Sequence, residues 1–386
     1  MPHPVVSAAS QLRDLAIGAL PKRLSPVAES KARWSPERAQ AWSENVGWLA
    51  GCNFTPSTAG NQLEMWQANT FDPETIEREL AWASELGLNT IRVFLHSLVW
   101  ETDGNRFLDR VDEMLAIAHS QGISVMPVLF DGVWNPHPRL GPQKDPRPRR
   151  HNAMWVQDPG AKILSNPARW ETLKPYLQAV LSRFGGDSRV VVWDLFNECD
   201  QRNAISYARS EVLRKTKRAD ALLNKAFDWA TEVDPDQPLT AGVFTGVSGA
   251  VELVSRANRT MLGRSDVISF HCYSRRRRLE NAIDHLARYG RPLLCTEWLA
   301  RPLGSTVDLL EVFAARQVGA YCWGLVDGRT QTRYSWTSWL REPADDDIWF
   351  HELLHADGTP FDANEALMIR AIAERNGPSP GSSANR

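Results

Sequence analysis

The stretch VVVWDLFNECD, residues 190–200, runs from a short, densely apolar segment into Asn197 and Glu198 and then turns polar. A Val-rich run that is apolar throughout reads as a strand of a parallel sheet, because a strand covered on both faces has no solvent side to keep polar. Seven further segments have the same character: GWLAGCNF (47–54), TIRVFLH (90–96), ISVMPVLF (123–130), PLTAGVF (238–244), DVISFHCY (266–273), PLLCTEW (292–298) and GAYCWGLV (319–326). Helical patterns lie between them. Asp72-Pro73-Glu74 opens PETIERELAWASELG, whose Ile76, Leu80 and Ala83 share a face before Gly87 ends it. Asn166-Pro167 opens a second such segment, with Trp170, Leu173, Leu177, Val180, Leu181 and Phe184 at helical spacing. Eight apolar strands alternating with amphipathic helices predict a (β/α)8 TIM barrel, a single α/β domain with long βα loops. The rival, an open doubly wound sheet, usually carries a glycine-rich phosphate turn after its first strand, and CNFTPSTAGNQ lacks that form.

The predicted organisation is an N-terminal extension over 1–33, the catalytic barrel over 34–375 and a disordered tail over 376–386, rich in Gly, Pro and Ser. Two connections are too long to be mere links: residues 131–165, with six prolines, Trp134 and Trp155, and residues 327–351, with Trp336, Trp339 and Trp349. Both follow strands, so both belong over the C-terminal face, where barrels place their chemistry.

Composition narrows the function. With 386 residues, 43% of them hydrophobic, and a formal net charge of -2, the chain can bury a large core but generates no field to hold a polyanion, which argues against nucleic acid and anionic membrane as partners. No segment reaches the roughly 20 apolar residues of a membrane span, and Arg13 and Asp14 interrupt the apolar stretches of the N-terminus. The expectation is a cytoplasmic protein without a signal peptide. Cys52, Cys199, Cys272, Cys295 and Cys322 are odd in number, lack CxxC spacing and read as buried thiols. Tryptophan is over-represented, sixteen against six tyrosines, and flat amphipathic rings of this kind suit stacking on sugar faces.

If strand ends form the active face, the polar residues there are the candidates: Asn53, Arg92, His96, Asp131, Asn197, Glu198, His271, Tyr273 and Glu297, with Trp323 on the last strand. Two glutamates on opposite strands of a barrel face each other across its mouth. That is what cleavage of a glycosidic bond requires, one carboxyl group protonating the leaving oxygen while the other acts at the anomeric carbon. Arg92 and Tyr273 are the candidates to keep Glu297 ionised, whereas Glu198 has to stay protonated near neutrality. The bland alternative for the two acids is a pair of structural ion pairs at the rim, and His96 and Asp131 are as readily satisfied by backbone groups as by substrate. Trp66, Trp134 and Trp155 divide between core plugs and sugar platforms.

WDLFNE, HCY, CTEW and CWG at the ends of strands 4, 6, 7 and 8 together resemble the clan A retaining glycoside hydrolases, most closely the family 5 cellulase-like enzymes, over about residues 45–375. The resemblance implies a retaining β-glycosidase with Glu198 as acid/base and Glu297 as nucleophile. It implies further that Asn197 contacts the 2-hydroxyl, that Arg92 and Tyr273 orient the nucleophile, that His271 lines the site and that Trp323 stacks on the cleaved sugar. Asn53, His96 and Trp134 complete the substrate-binding candidates. Such an enzyme acts on a carbohydrate partner and needs neither metal nor organic cofactor. The family often has Pro after the acid/base, where this chain has Cys199.

Two motifs compete. HELLH (351–355) matches the zinc-protease string H-E-x-x-H through His351, Glu352 and His355, but Asp357-Gly358-Thr359-Pro360 stops any helix at once and Phe361 stands where a third histidine would. The basic run Arg275–Arg278 reads as a solvated loop, its place near the active face leaving an acidic sugar as the functional reading. A barrel that binds glycans without cleaving them is the non-enzymatic alternative.

Overall fold

The computed structural model describes residues 33–244, 247, 255–344 and 348–376. The predicted extension, apart from Arg33, and the predicted tail, apart from Asn376, lie outside the described residues. Eight strands form one sheet: β1 (Ala50–Asn53), β2 (Thr90–Phe94), β3 (Ser124–Val128), β4 (Trp193–Asp194), β5 (Leu239–Thr240), β6 (Ile268–His271), β7 (Leu293–Trp298) and β8 (Gly319–Trp323). Their order is β5-β4-β3-β2-β1-β8-β7-β6, and the neighbours pair in parallel. Among the described residues a parallel bridge, Val243 to Phe270, joins the segment of β5 to β6 and closes the ring. This is the (β/α)8 barrel.

Each predicted strand is present but shorter. Within the 190–200 stretch only Trp193–Asp194 pairs regularly, with isolated bridges at Val190 and Asn197, and the chain leaves the extended region at Glu198, where φ is 38°. The helices after the strands are α1 (Pro73–Glu85), α2 (Asn105–Ser120), α3 (Lys174–Phe184), α4 (Lys215–Val233), α5 (Arg256–Arg264), α6 (Arg276–Ala287), α7 (Leu310–Ala315) and α8 (Ala363–Asn376). In α1 the Asp72 carboxylate accepts from the Thr75 N–H, capping a first turn that begins with Pro73, and Ile76, Leu80 and Ala83 are buried. Truncating the wholly buried Leu80 to Ala would cost about 2–5 kcal/mol. The segment opened by Asn166-Pro167 begins as a 3-10 helix, Pro167–Leu173, and becomes α-helical at Lys174. The arginine run is not a loop: Arg276–Arg278 form the first turn of α6, whose Leu279, Ala282, Ile283 and Leu286 are buried, while Arg276 reaches Asp308.

The barrel is stopped at its N-terminal end. Trp34 and, from the helix Pro36–Val46 that follows it and is capped by the Ser35 side chain, Ala39 join an apolar layer that includes Met126, Val192, Leu294 and Tyr321. Above that layer the interior turns polar. Arg92, Asp194, Thr240, Ser269 and Thr296 are all buried there with essentially no exposure. The five cysteines are buried free thiols, and among the described residues no helix is long and apolar enough to cross a membrane.

Candidate active site

The polar layer is organised by one guanidinium. Arg92, on β2, is wholly buried; its Nη1 donates to Glu297 Oε1 at 2.9 Å and to Asn53 Oδ1 at 2.7 Å. Its Nη2 donates to Asp194 Oδ2 at 2.8 Å and to Asn197 Oδ1 at 2.7 Å. One cation thus ties together residues from β1, β2, β4, the turn after β4 and β7. A buried guanidinium is tolerable only when its donors are matched in this way, and here two carboxylates and two amides match them. Asn53 is fully committed beneath the site, because its amide also donates to the carbonyls of Thr296 and Cys322 at 2.8 and 3.1 Å.

Glu297 is held at both oxygens. Arg92 takes Oε1, and the Tyr273 hydroxyl donates to Oε2 at 2.8 Å. Glu198 is held differently: its Oε1 lies 2.7 Å from His271 Nδ1, which is also 3.4 Å from Glu297 Oε2. In the Glu198–His271 contact either partner can carry the shared proton. Burial holds His271 down to about 4, against the pull of Glu297, so the ring between the two acids is neutral. One donor atom from each of Glu198, His271 and Glu297 lies within 4.8 Å of the others, and these are the residues of the site whose atoms converge closely enough to hold a metal ion. A metal would have to displace donors that Glu297 already accepts.

The two carboxyl groups differ in their surroundings. Burial pushes Glu198 up to about 8, with the negative charge of Asp200 adding to the effect. Burial also raises Glu297, to about 7, with the charge of Glu198 adding to the effect, while the Arg92 cation and the Tyr273 hydroxyl oppose it. Glu198 is therefore the better proton holder and Glu297 the better anion. Such a pair can deliver a proton to one atom of a bond while offering a negative charge to its other end.

Asn197 is oriented from two sides. Its Oδ1 accepts from Arg92, and its Nδ2 donates to Asp131 Oδ1 at 2.9 Å. Asp131 also accepts from Trp155 Nε1 at 2.6 Å and from Gln62 Nε2 at 3.0 Å, so it serves Asn197 and a buried network. Trp323 ends β8 beside Asn53 and meets Phe94 and Trp155 edge-on, each with ring centroids 5.8 Å apart. Tyr273 meets Trp336 at 5.1 Å and 90°.

The other candidates lie farther out or deeper. His96 is wholly buried at the start of the helix Ser97–Asp103, where its Nδ1 accepts from Leu98 N, and no described contact joins it to either glutamate. Trp66 and Trp155 are buried packing residues, whereas Trp134 is half-buried at the loop surface. Asp194 and Trp336 were not among the sequence candidates. Asp194 sits inside an apolar strand, and only its place beside a buried arginine reveals it.

HELLH has no helix. Glu352 has φ 49° and Leu354 makes bridges to Val326 and Pro360, so His351 and His355 do not share a helical face. The His351 ring faces the Leu299 carbonyl, Glu352 accepts from the Thr332 hydroxyl, and His355 packs on Trp349 at 4.6 Å. Each of the three already has another task.

The fold is that of barrels known from glycoside hydrolases. Among solved structures the chain is similar to a variant of GH5_18 from Streptomyces cattleya in complex with Manb1-4GlcNAc, with TM-score 0.56 and 14% identity over 86% of this chain and 82% of that one. It is similar also to the exo-beta-1,4-mannosidase Op5Man5 from Opitutaceae bacterium strain TAV5 (TM-score 0.56, 18% identity, 85% of this chain, 60% of that one). A third is beta-glucosidase 1317 (TM-score 0.56, 15% identity, 87% of this chain, 100% of that one). At these identities the likeness is one of fold. No protein-family model and no curated protein matches the chain.

Proposed function

We propose that this protein is a β-glycosidase of the clan A, family 5 type, cleaving β-linked saccharides by double displacement with net retention. The observation that carries the reading is the unequal support of two facing carboxyl groups: Glu297 bound by Arg92 and Tyr273, Glu198 bound by a neutral histidine. Glu198 protonates the departing oxygen as Glu297 attacks the anomeric carbon; bond cleavage leaves a glycosyl ester on Glu297. Glu198, now the base, takes a proton from water, whose oxygen displaces Glu297 and restores the enzyme. Retention calls for carboxyl groups about 5–5.5 Å apart, against about 6.5–9.5 Å for inversion. One oxygen of each acid lies within 4.8 Å of an oxygen of the other, a close approach that fits the retaining case. Asn197, oriented by Arg92 and Asp131, is placed to bind the sugar hydroxyl next to the reacting carbon.

The solved relatives named above include a mannosidase and a glucosidase, and hexose glycosides of these two configurations are the first substrates to try. The test is a panel of aryl β-glycosides and β-linked disaccharides, with NMR of the first-formed anomer. A β-anomer as the first product supports the reading; an α-anomer overturns retention. Saturable sugar binding without turnover on the whole panel would favour the glycan-binding barrel.

A further inference from the structure

A guanidinium carries five N–H donors, and in Arg92 every one of them meets an acceptor. Asp194 Oδ2 accepts two, from Nε at 3.1 Å and from Nη2 at 2.8 Å. The other hydrogen of Nη2 goes to Asn197 Oδ1, and Nη1 divides its pair between Asn53 Oδ1 and Glu297 Oε1. A planar fork bonded at each donor cannot turn without breaking several bonds, so its orientation follows from the partner that takes a whole edge. That partner is Asp194. It lies on β4 with no exposure, and Phe196 N reaches its second oxygen at 3.3 Å. Among the described residues Arg92 is the one side chain that hydrogen-bonds to this carboxylate.

Charge is shared along with geometry. Asp194 and Glu297 sit on a single enclosed cation, which gives two hydrogen bonds to the first and one to the second. Glu297 adds the Tyr273 hydroxyl at 2.8 Å and has His271 Nδ1 at 3.4 Å. The titratable groups around it are therefore Arg92 from β2, Glu198 from the turn after β4, and His271 and Tyr273 from β6 and the residues after it, with Asp194 across the guanidinium. Asp131 joins through Asn197, and Tyr321, on β8, is near enough to Arg92 to feel its charge. A carboxylate that attacks carbon has to be ionised and still have an electron pair to give. A guanidinium devoted to it alone would favour the first at the expense of the second.

We propose that Asp194 is a positioning residue for the glycosidase chemistry: it fixes the Arg92 fork so that the remaining donors fall on Glu297 and Asn197, and its negative charge withholds part of the cation from Glu297. This rests on the proposed reading of Glu297 as nucleophile and adds a buried residue that acts on it only through Arg92. Removing the charge of Asp194 leaves more of the cation to Glu297, whose ionised form gains, so Glu297 loses its proton at lower pH.

The experiment replaces Asp194 with Asn, which keeps the size and one acceptor oxygen but not the charge, and with Glu, which keeps the charge. Each folded variant and the wild type are read in two ways: kcat/KM against pH on an aryl β-glycoside, and titration of the Glu297 carboxyl carbon by carbon NMR of labelled glutamate, assigned with Glu297→Gln. In Asp194→Asn, Glu297 is expected to titrate about half a pH unit to one pH unit lower, and the acidic limb of the activity profile to move with it. Asp194→Glu leaves both in place. Glu297 titrating at its wild-type position or higher in Asp194→Asn overturns the inference. So does failure of Asp194→Asn and Asp194→Ser alike to fold, which would make the aspartate a support of the barrel only. A lower Glu297 titration in a protein that cleaves no β-glycoside upholds the influence of Asp194 on Glu297 and overturns the glycosidase reading.

Discussion

Arg92 donates to Glu297 through Nη1 at 2.9 Å in a site where the arginine has no exposure, so the charge of Glu297, the proposed nucleophile, meets an enclosed cation. The same guanidinium holds Asp194 at 2.8 Å. Replacing Arg92 with Met leaves two buried carboxylates without their cation. The expected cost is about 3–5 kcal/mol in denaturant unfolding at neutral pH. Arg92→Lys keeps the charge but loses the fork that serves both acids and both amides. If it folds, its weaker stabilisation of ionised Glu297 moves the acidic limb of the kcat/KM profile to higher pH; a limb that stays in place would refute the coupling.

The pH profile itself follows from the two acids. The proposed mechanism needs Glu297 ionised and Glu198 protonated, and burial puts these groups near 7 and near 8. The pair titrates together, so its two limbs belong to the dyad. The expected kcat/KM profile is a narrow bell with its maximum between pH 7 and 8, rising with ionisation of Glu297 and falling with loss of the Glu198 proton. Glu198→Gln should remove the alkaline limb. A broad plateau centred near pH 5 would contradict the burial-driven shifts.

Glu297→Gln should lose roughly 10^4-fold or more in kcat on every substrate, since no covalent intermediate can form. Glu198→Ala should depend on the leaving group, with a small effect on cleavage of an activated aryl glycoside and a large one on alkyl or sugar leaving groups. Added azide should restore turnover of the Glu198 variant and give a β-glycosyl azide. An α-azide from that variant would exchange the two roles.

Gly132 packs against the turn that carries Glu198, with room for no side chain. Gly132→Ala drives a methyl group into the Glu198 carbonyl, and relief of the overlap has to move Glu198. The variant should lose about 1–3 kcal/mol of stability, measured by denaturant unfolding, and a larger share of kcat than of substrate affinity. Unchanged kcat would show that the turn tolerates displacement.

Glu352 gives a stability test away from the catalytic pair. It is buried, accepts from Thr332, and burial raises it to about 8. In the unfolded chain it loses its proton near its ordinary value of 4.5, in the folded chain only near 8. Between these the folded state holds more protons, so this group's contribution is fully present at low pH and is lost as pH rises toward 8, at up to about 1.4 kcal/mol per pH unit. Glu352→Gln should flatten the fall in Tm between about pH 5 and 8 relative to the wild type; parallel curves would exclude the effect.

How far the sequence carries is clear from particular residues. Apolar runs separated by helical periodicities determined the strands, their number and so the barrel, because burial on two faces is a local compositional property. Glu198 and Glu297 were legible because a charged group closing an apolar run has few places to go except a rim. The shortness of β4 and the 3-10 start before α3 were not, since pairing partners and a turn at φ 38° decide them. Nor was Asp194, which reads as a stray polar residue within a strand until Arg92 is seen beside it. The His271 ring between the acids, the half-buried place of Trp134 at the loop surface, and the non-helical course of HELLH belong to tertiary structure alone. They depend on contacts between segments far apart in the chain, and hydrophobic period carries no information about which distant donor will meet which acceptor.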